Sequence, residues 1–237
     1  MSVGVKAAGL AALLRVFIVA LPGVAADLTP LLYGLAILTM VVGNLLAVAQ
    51  SNIKRLLAYS SIANAGYLLM AFVPYGNQAM IAESNAAMLF FLVAYALGSL
   101  GAWAVVVNLE RAEGRGLDLE DYAGLGRKYP WLAAAMLVFM LSFTGAPLTL
   151  GFWGKFYLFK VAVDGGFWPL ALVGLITSVV SAYYYLRVVV VMYMHTGQPE
   201  AQGDRWVELL AIGLAVLLVA LSFLPGPLLN LAALAGL

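Results

Sequence analysis

Cysteine is absent from the 237 residues, and histidine occurs once, at His195. The first absence excludes disulfides, thiol catalysis and iron–sulfur or zinc sites built on thiolates, and it leaves the redox compartment undetermined. The second leaves no cluster for a metal site of the usual kind. Charge is scarce as well: 10% of residues are charged and 65% are hydrophobic, against roughly 25% charged in a soluble domain. A water-soluble globule of this size needs more charge to cover its surface. The 12 basic and 11 acidic residues leave a net charge of +1, which gives no electrostatic case for nucleic acid or an acidic partner. Gly124-Leu125-Gly126 lacks the third glycine and the strand context of a nucleotide loop. With no serine or paired-carboxylate constellation either, chemistry on a bound substrate is not expected, and no cofactor or metal is assigned to the chain. What remains is a chain built for the lipid bilayer.

Six runs carry no charge: 28–53, 56–82, 84–109, 129–154, 165–186 and 209–237. Each has 22 to 29 residues, enough for a hydrocarbon core that takes about 20 helical residues. The stretch 3–24 is also apolar but holds Lys6 and Arg15. The pattern predicts an all-α membrane protein with seven transmembrane helices; a barrel is disfavoured because the runs are continuously apolar rather than alternating. Lys54, Arg55, Arg111, Arg115, Arg127, Lys128 and Arg205 all fall in connections on one side, against Lys160 on the other. That basic side is predicted cytoplasmic, together with the start of the segment, and the carboxyl terminus outside. Loop 109–130 holds 9 of the 23 charged side chains and reads as a solvated connection.

The amino-terminal stretch admits three readings: a transmembrane helix, a signal peptide cut before Asp27, or an internal methionine at Met1 within a longer chain. Lys6, an apolar run, Pro22 and Val24-Ala25-Ala26 suit a signal peptide, but Arg15 interrupts the apolar core.

An ionisable side chain inside a span is a functional candidate by default, because it costs at least ~2.5–3.5 kcal/mol at the helix centre. Lys155 stands out. Trp131 to Val163 is 33 residues, about 50 Å as one helix and far more than a ~30 Å core. Gly145-Ala146-Pro147, followed by Gly151 and Gly154, supplies a break, which survives at membrane depth only where protein or a wet cavity satisfies the freed backbone. Lys155 lies nine residues before Asp164, about 13 Å in and beside that break. An amine away from water can exchange a proton under conditions that leave a solvated lysine charged. Lys6, 16 residues before Pro22, falls about 24 Å from the outer end, in the inner half. Arg15, nine residues further on, faces the opposite way and is expected to pair with a neighbouring helix or subunit.

Lesser candidates follow. Lys54 and Arg55 begin the third span as inner anchors, with Lys54 kept as a secondary relay candidate. Asn64, with Ser60 and Ser61, forms a polar patch open to two readings, interhelical bonding or ordering of a water chain. Glu83 reads as interfacial, Lys160 and Arg187 as snorkelling, Tyr183-Tyr184-Tyr185 as packing or an interfacial belt, and His195 gets no role.

GNLLAVAQSNIKRLLAYSSIANAGYLLMAF (43–72), LSFTGAPLTLGFWGKFYLF (141–159) and the loop LEDYAGLGRKYP (119–130) closely resemble the antiporter-like membrane subunits of respiratory complex I, NADH-quinone oxidoreductase. Multisubunit cation/proton antiporters share that ancestry. GKF around Lys155, and an end soon after the seventh span, look most like the bacterial subunit N family. The resemblance implies about fourteen helices in two inverted five-helix repeats, of which these would be the last seven, so that Met1 would be internal. It implies one helix over 1–26, a five-helix repeat over 28–194 with a broken helix at 131–163, and a last helix over 205–237. Lys6 then matches a lysine of the family's central hydrophilic axis and Lys155 the lysine of the broken helix toward the outer half-channel. Asn64 stands where the family usually has histidine; asparagine cannot titrate and would act by orienting water.

The function implied is proton translocation, from Lys6 through water near Asn64 to Lys155, coupled to quinone reduction elsewhere. NADH, FMN, iron–sulfur clusters and quinone would belong to other subunits, and the partners would be other membrane subunits of complex I in the cell inner (plasma) membrane. With the first repeat and its glutamate–lysine pair missing, the polypeptide alone should not be a complete channel. The alternative is a subunit of a cation/proton antiporter driven by ion gradients.

Overall fold

A computed structural model describes residues 25–111, 116–201 and 204–235, together with a few positions between 8 and 16. Helices dominate: α1 Ala25–Val48, α2 Ile53–Met70, α3 Ile81–Leu109, the single turn α4 Leu125–Lys128, α5 Pro130–Thr144, α6 Leu150–Asp164, α7 Trp168–Met194, α8 Arg205–Ser222 and α9 Pro225–Ala235. Among the described residues, five helical segments are long and apolar enough to cross a membrane: 27–48, 53–76, 78–109, 168–194 and 205–222. Most of the first span expected from sequence, Lys6 included, lies outside the described residues; Arg15 is exposed. The segment 131–163 is divided between α5 and α6, each of 15 residues and so about 22 Å long.

The enclosed helices are α2 and α3, while α1 and α8 line the periphery with exposed leucines such as Leu31, Leu38, Leu45, Leu209 and Leu210. Without a hydrophobic force between helices in lipid, close approach depends on small residues. Gly43 of α1 meets Ala63 of α2 so closely that an added Cβ would lie 2.6 Å from the Ala63 nitrogen. On the same seam, a Cβ on Gly66 would lie 2.8 Å from the Met40 nitrogen. A tight turn joins the two helices, and Asn52 caps α2: its Oδ1 accepts from the amides of Lys54 and Arg55 at 3.1 and 3.2 Å.

The described part of loop 109–130 is packed rather than simply solvated, which corrects the sequence expectation. Ile53 N donates to Leu117 O and Leu119 N to Ser51 O, both at 2.8 Å, so the loop runs antiparallel to the α1–α2 turn. The physical reason is that helix starts leave unpaired amides, and this loop supplies acceptors while burying Leu119, Tyr122 and Leu125. Its charges stay outside: Glu120, Arg127 and Lys128 are exposed, and Arg111 pairs with Glu200. Burial, aided by nearby Asp121 and Glu110, raises the Tyr122 phenol above its ordinary value, so it stays protonated.

The last apolar stretch is also in two parts. Phe223 and Leu224 interrupt it before Pro225, whose ring cannot continue the hydrogen-bond ladder, and α9 packs against α3.

Replacing Gly43 with Val should force α1 and α2 apart at a cost of about 1–3 kcal/mol. The expected result is a lower melting temperature of the detergent-solubilised protein; an unchanged melting temperature would show the contact to be slack.

Candidate functional site

The site begins where α5 stops. Gly145 adopts φ 84°, a left-handed conformation that only glycine takes without strain. Its amide donates to Ser142 O at 3.0 Å, and that of Ala146 to Leu141 O at 2.9 Å, the paired closure of a Schellman motif. Pro147 and Leu148 follow, the latter also left-handed at φ 69°. Three local bonds then secure the interruption. Thr149 Oγ1 donates to Ala146 O at 2.6 Å, Gly151 N donates to Ser142 Oγ at 3.2 Å, and the hydroxyl of Ser222 of α8 is shared between Leu148 O at 2.9 Å and Val219 O at 2.6 Å.

The carbonyls left at the end of α5 are taken by Lys155. From α6 its Nζ donates to Phe143 O at 2.8 Å, Thr144 O at 3.1 Å and Ser178 Oγ of α7 at 2.8 Å. An ammonium has three donors, and all three are matched. The side chain is 5% exposed, and the Tyr67 ring lies 4.9 Å from Nζ to its centroid. A helix carboxyl end carries partial negative charge and an aromatic face attracts cations, so this pocket receives a positive group without a carboxylate. Among the described residues, none is in salt-bridge range of Lys155.

Beside the amine is a cavity lined by Asn64, Phe91, Ala94, Tyr95, Ser142, Phe143, Gly151 and Lys155, with about 10 Å³ for a water's centre. That is about one water molecule, with polar groups on both walls. Asn64 and Lys155, separate candidates in the sequence, thus share one chamber. Asn64 Nδ2 donates to Ser60 O at 2.8 Å and to the Tyr185 hydroxyl at 3.4 Å. Tyr185 stacks on Phe143 and touches Tyr184, whose hydroxyl donates to Asn44 Oδ1 at 3.0 Å. Three residues further along α7, Arg187 donates to Gln50 O at 3.3 Å.

The remaining candidates fall elsewhere. Lys54 pairs with Glu110 at the far end of α2 and does not reach the chamber. Lys160 bridges Glu83 and Asp164 on the surface, and His195 stands 3.5 Å from Glu120. Ser178, Tyr67 and Asn44 are not among the sequence candidates, and Tyr184 and Tyr185, expected in packing or an interfacial belt, take part in this polar network. The available signal was the spacing of Thr177, Ser178, Ser181, Tyr184 and Tyr185, which puts hydroxyls on one face of α7 at helical period. Tyr183, off that face, is 61% exposed. No group of three potential metal ligands occurs among the described residues.

Residues 1–181 match the model of the NADH:quinone oxidoreductase/Mrp antiporter transmembrane family. The chain belongs to that family. A curated relative, NADH-quinone oxidoreductase subunit N of Trichlorobacter lovleyi, is 47% identical over 226 residues, covering 95% of this chain and 45% of the relative. A chain in respiratory complex I from Thermus thermophilus with bound aureothin superposes with a TM-score of 0.76 at 42% identity, over 86% of this chain and 46% of that one. A chain of the Mrp complex from Dietzia sp. DQ12-45-1b gives a TM-score of 0.83 over 96% of this chain and 50% of that one; at 20% identity, this likeness concerns the fold alone. The chain therefore spans about half the length of the relatives it matches. Family membership and the five apolar helices make it a multi-pass, antiporter-like membrane protein.

A Cβ on Gly151 would overlap the Ser142 carbonyl, whereas one on Gly145 would lie 3.1 Å from Lys155 Cδ in a left-handed backbone. Gly145→Ala should cost about 1–2 kcal/mol of backbone strain and Gly151→Ala about 1–3 kcal/mol by separating α5 from α6. Thermal melting of both variants checks this; wild-type stability in either would contradict the geometry.

Proposed function

We propose that this chain is a proton-translocating, non-redox membrane subunit of NADH-quinone oxidoreductase, with Lys155 as its central proton carrier. The observation that carries the reading is a buried amine bonded to the carbonyls at a helix interruption, on a side chain that lines a one-water chamber together with Asn64. A proton arriving from Lys6 passes through water oriented by Asn64 to Lys155 and leaves toward the outer side. The α5–α6 interruption is the broken helix of a seven-span arrangement whose basic connections face the cytoplasm. NADH oxidation, flavin, iron–sulfur clusters and quinone reduction belong to partner subunits of complex I in the cell inner membrane, and their redox energy shifts the proton affinity of the lysines. The subunit N identity of the relative and the complex I likeness at 42% identity support this assignment over a gradient-driven cation/proton antiporter.

In the assembled oxidoreductase, Lys155→Ala should lower protons pumped per electron by about tenfold or more, the scale of losing a proton-transfer group. NADH oxidation by an artificial acceptor should be unaffected. Full coupling in Lys155→Ala would overturn the proposal, and sodium–proton exchange by the reconstituted protein without NADH would replace it with the antiporter reading.

A further inference from the structure

Every direct partner of the Lys155 amine but one favours the charged state. Phe143 O and Thr144 O can only accept, and the Tyr67 ring presents its electron-rich face. The Tyr67 hydroxyl is engaged with Thr177 Oγ1 at 3.2 Å, and Ser142 Oγ receives the Gly151 amide. A neutral amine has two N–H groups and a lone pair, so on losing its proton this lysine gains a site for a donor. Of the groups bonded to Nζ, Ser178 alone can both accept and donate.

The setting of Ser178 supports more than packing. Serine inside a helix commonly bonds back to its own backbone. Ser181 does so, donating to Ser178 O at 2.6 Å, and Thr177 does so toward Val173 O at 2.9 Å. Ser178 instead reaches out of α7, 2.8 Å from Lys155 Nζ and 3.3 Å from Thr144 O, so its hydroxyl hydrogen has two alternative acceptors across the helix interruption.

We infer that Ser178 is a positioning residue that lets Lys155 change protonation state in place, by reversing the direction of their shared hydrogen bond. The inference rests on the proton-carrying role proposed for Lys155. With the ammonium present, Ser178 accepts from Nζ and donates to Thr144 O. On release, the N–H shared with Ser178 first swings from the hydroxyl to a water in the adjacent chamber; that N–H bond then breaks, its electron pair stays on nitrogen, and the water oxygen takes the proton. The amine keeps its two N–H bonds to Phe143 O and Thr144 O, and the Ser178 O–H rotates from Thr144 O to the freed lone pair. Return of a proton from water reverses each step.

The mechanism requires a hydroxyl at position 178, not a particular volume, which Thr and Val separate because they share shape. In the assembled oxidoreductase, Ser178→Ala and Ser178→Val should each lower protons pumped per electron by about tenfold or more, the scale of one lost hydrogen bond to a charged group. Ser178→Thr should restore near wild-type pumping. The amount of this chain in the purified complex reports whether each variant assembles. Wild-type pumping in Ser178→Val, or equal failure of Thr and Val in assembled complexes, overturns the role of the hydroxyl. Lys155→Ala measured in parallel separates the two claims. If it pumps normally, the proposed function itself fails; if it is uncoupled while Ser178→Val is not, only the inference about Ser178 fails.

Discussion

The constraint on which the structure turns is that a helix interrupted in apolar surroundings must find partners for the backbone groups it releases. Water is not at hand to take them, and each unsatisfied group costs several kcal/mol. At the α5–α6 interruption the solution is distributed: Gly145 folds the chain back onto α5, Ser142 and Thr149 take two groups locally, and α8 takes a third. The last two carbonyls go to an amine. Structural need and the proposed chemistry therefore meet at the same bonds. Lys155 is tolerated inside the protein because the interruption offers acceptors, and the interruption is tolerated in part because Lys155 fills them.

The same reasoning explains the company this lysine keeps. Asparagine, serine, threonine and tyrosine surround it, all able to hydrogen-bond and all uncharged at neutral pH. A carboxylate in contact would hold the ammonium as a fixed ion pair, as Glu110 does for Lys54 and Glu83 and Asp164 do for Lys160. Neutral hydroxyls and amides solvate a charge and can also reorganise when it leaves. The site differs from the surface ion pairs in this respect more than in any single distance.

Much of this was legible in the sequence. Uninterrupted apolar runs marked α1, α2, α3 and α7, and an over-long span with Gly145, Pro147 and Gly151 located the interruption and its lysine. Such signals survive because they are local: run length, proline chemistry and one charge out of place. What escaped was set by contacts between distant segments. Ser178 reads as an ordinary helical serine until α5 brings its carbonyls across, and Tyr184 and Tyr185 differ from exposed Tyr183 only in the face they occupy. The packing of loop 109–130 escaped for a related reason. Its charge density suggested solvation, while Leu119, Tyr122 and Leu125 are buried and Leu117 and Leu119 bond to a turn more than sixty residues earlier. The division of the last apolar stretch was written in Pro225 and Pro227, but continuous hydrophobicity masked it.

The bond from Ser222 to the Leu148 carbonyl bears on how the molecule is assembled. Leu148 leaves the ribosome 74 residues before the serine that completes its pairing. Until α8 has been made and has docked, that carbonyl faces the surroundings unpartnered, at the bend next to the lysine pocket. Helix α8 is thus a splint applied after the bend it secures, and the chamber beside that bend reaches its finished form only once those further residues have been made.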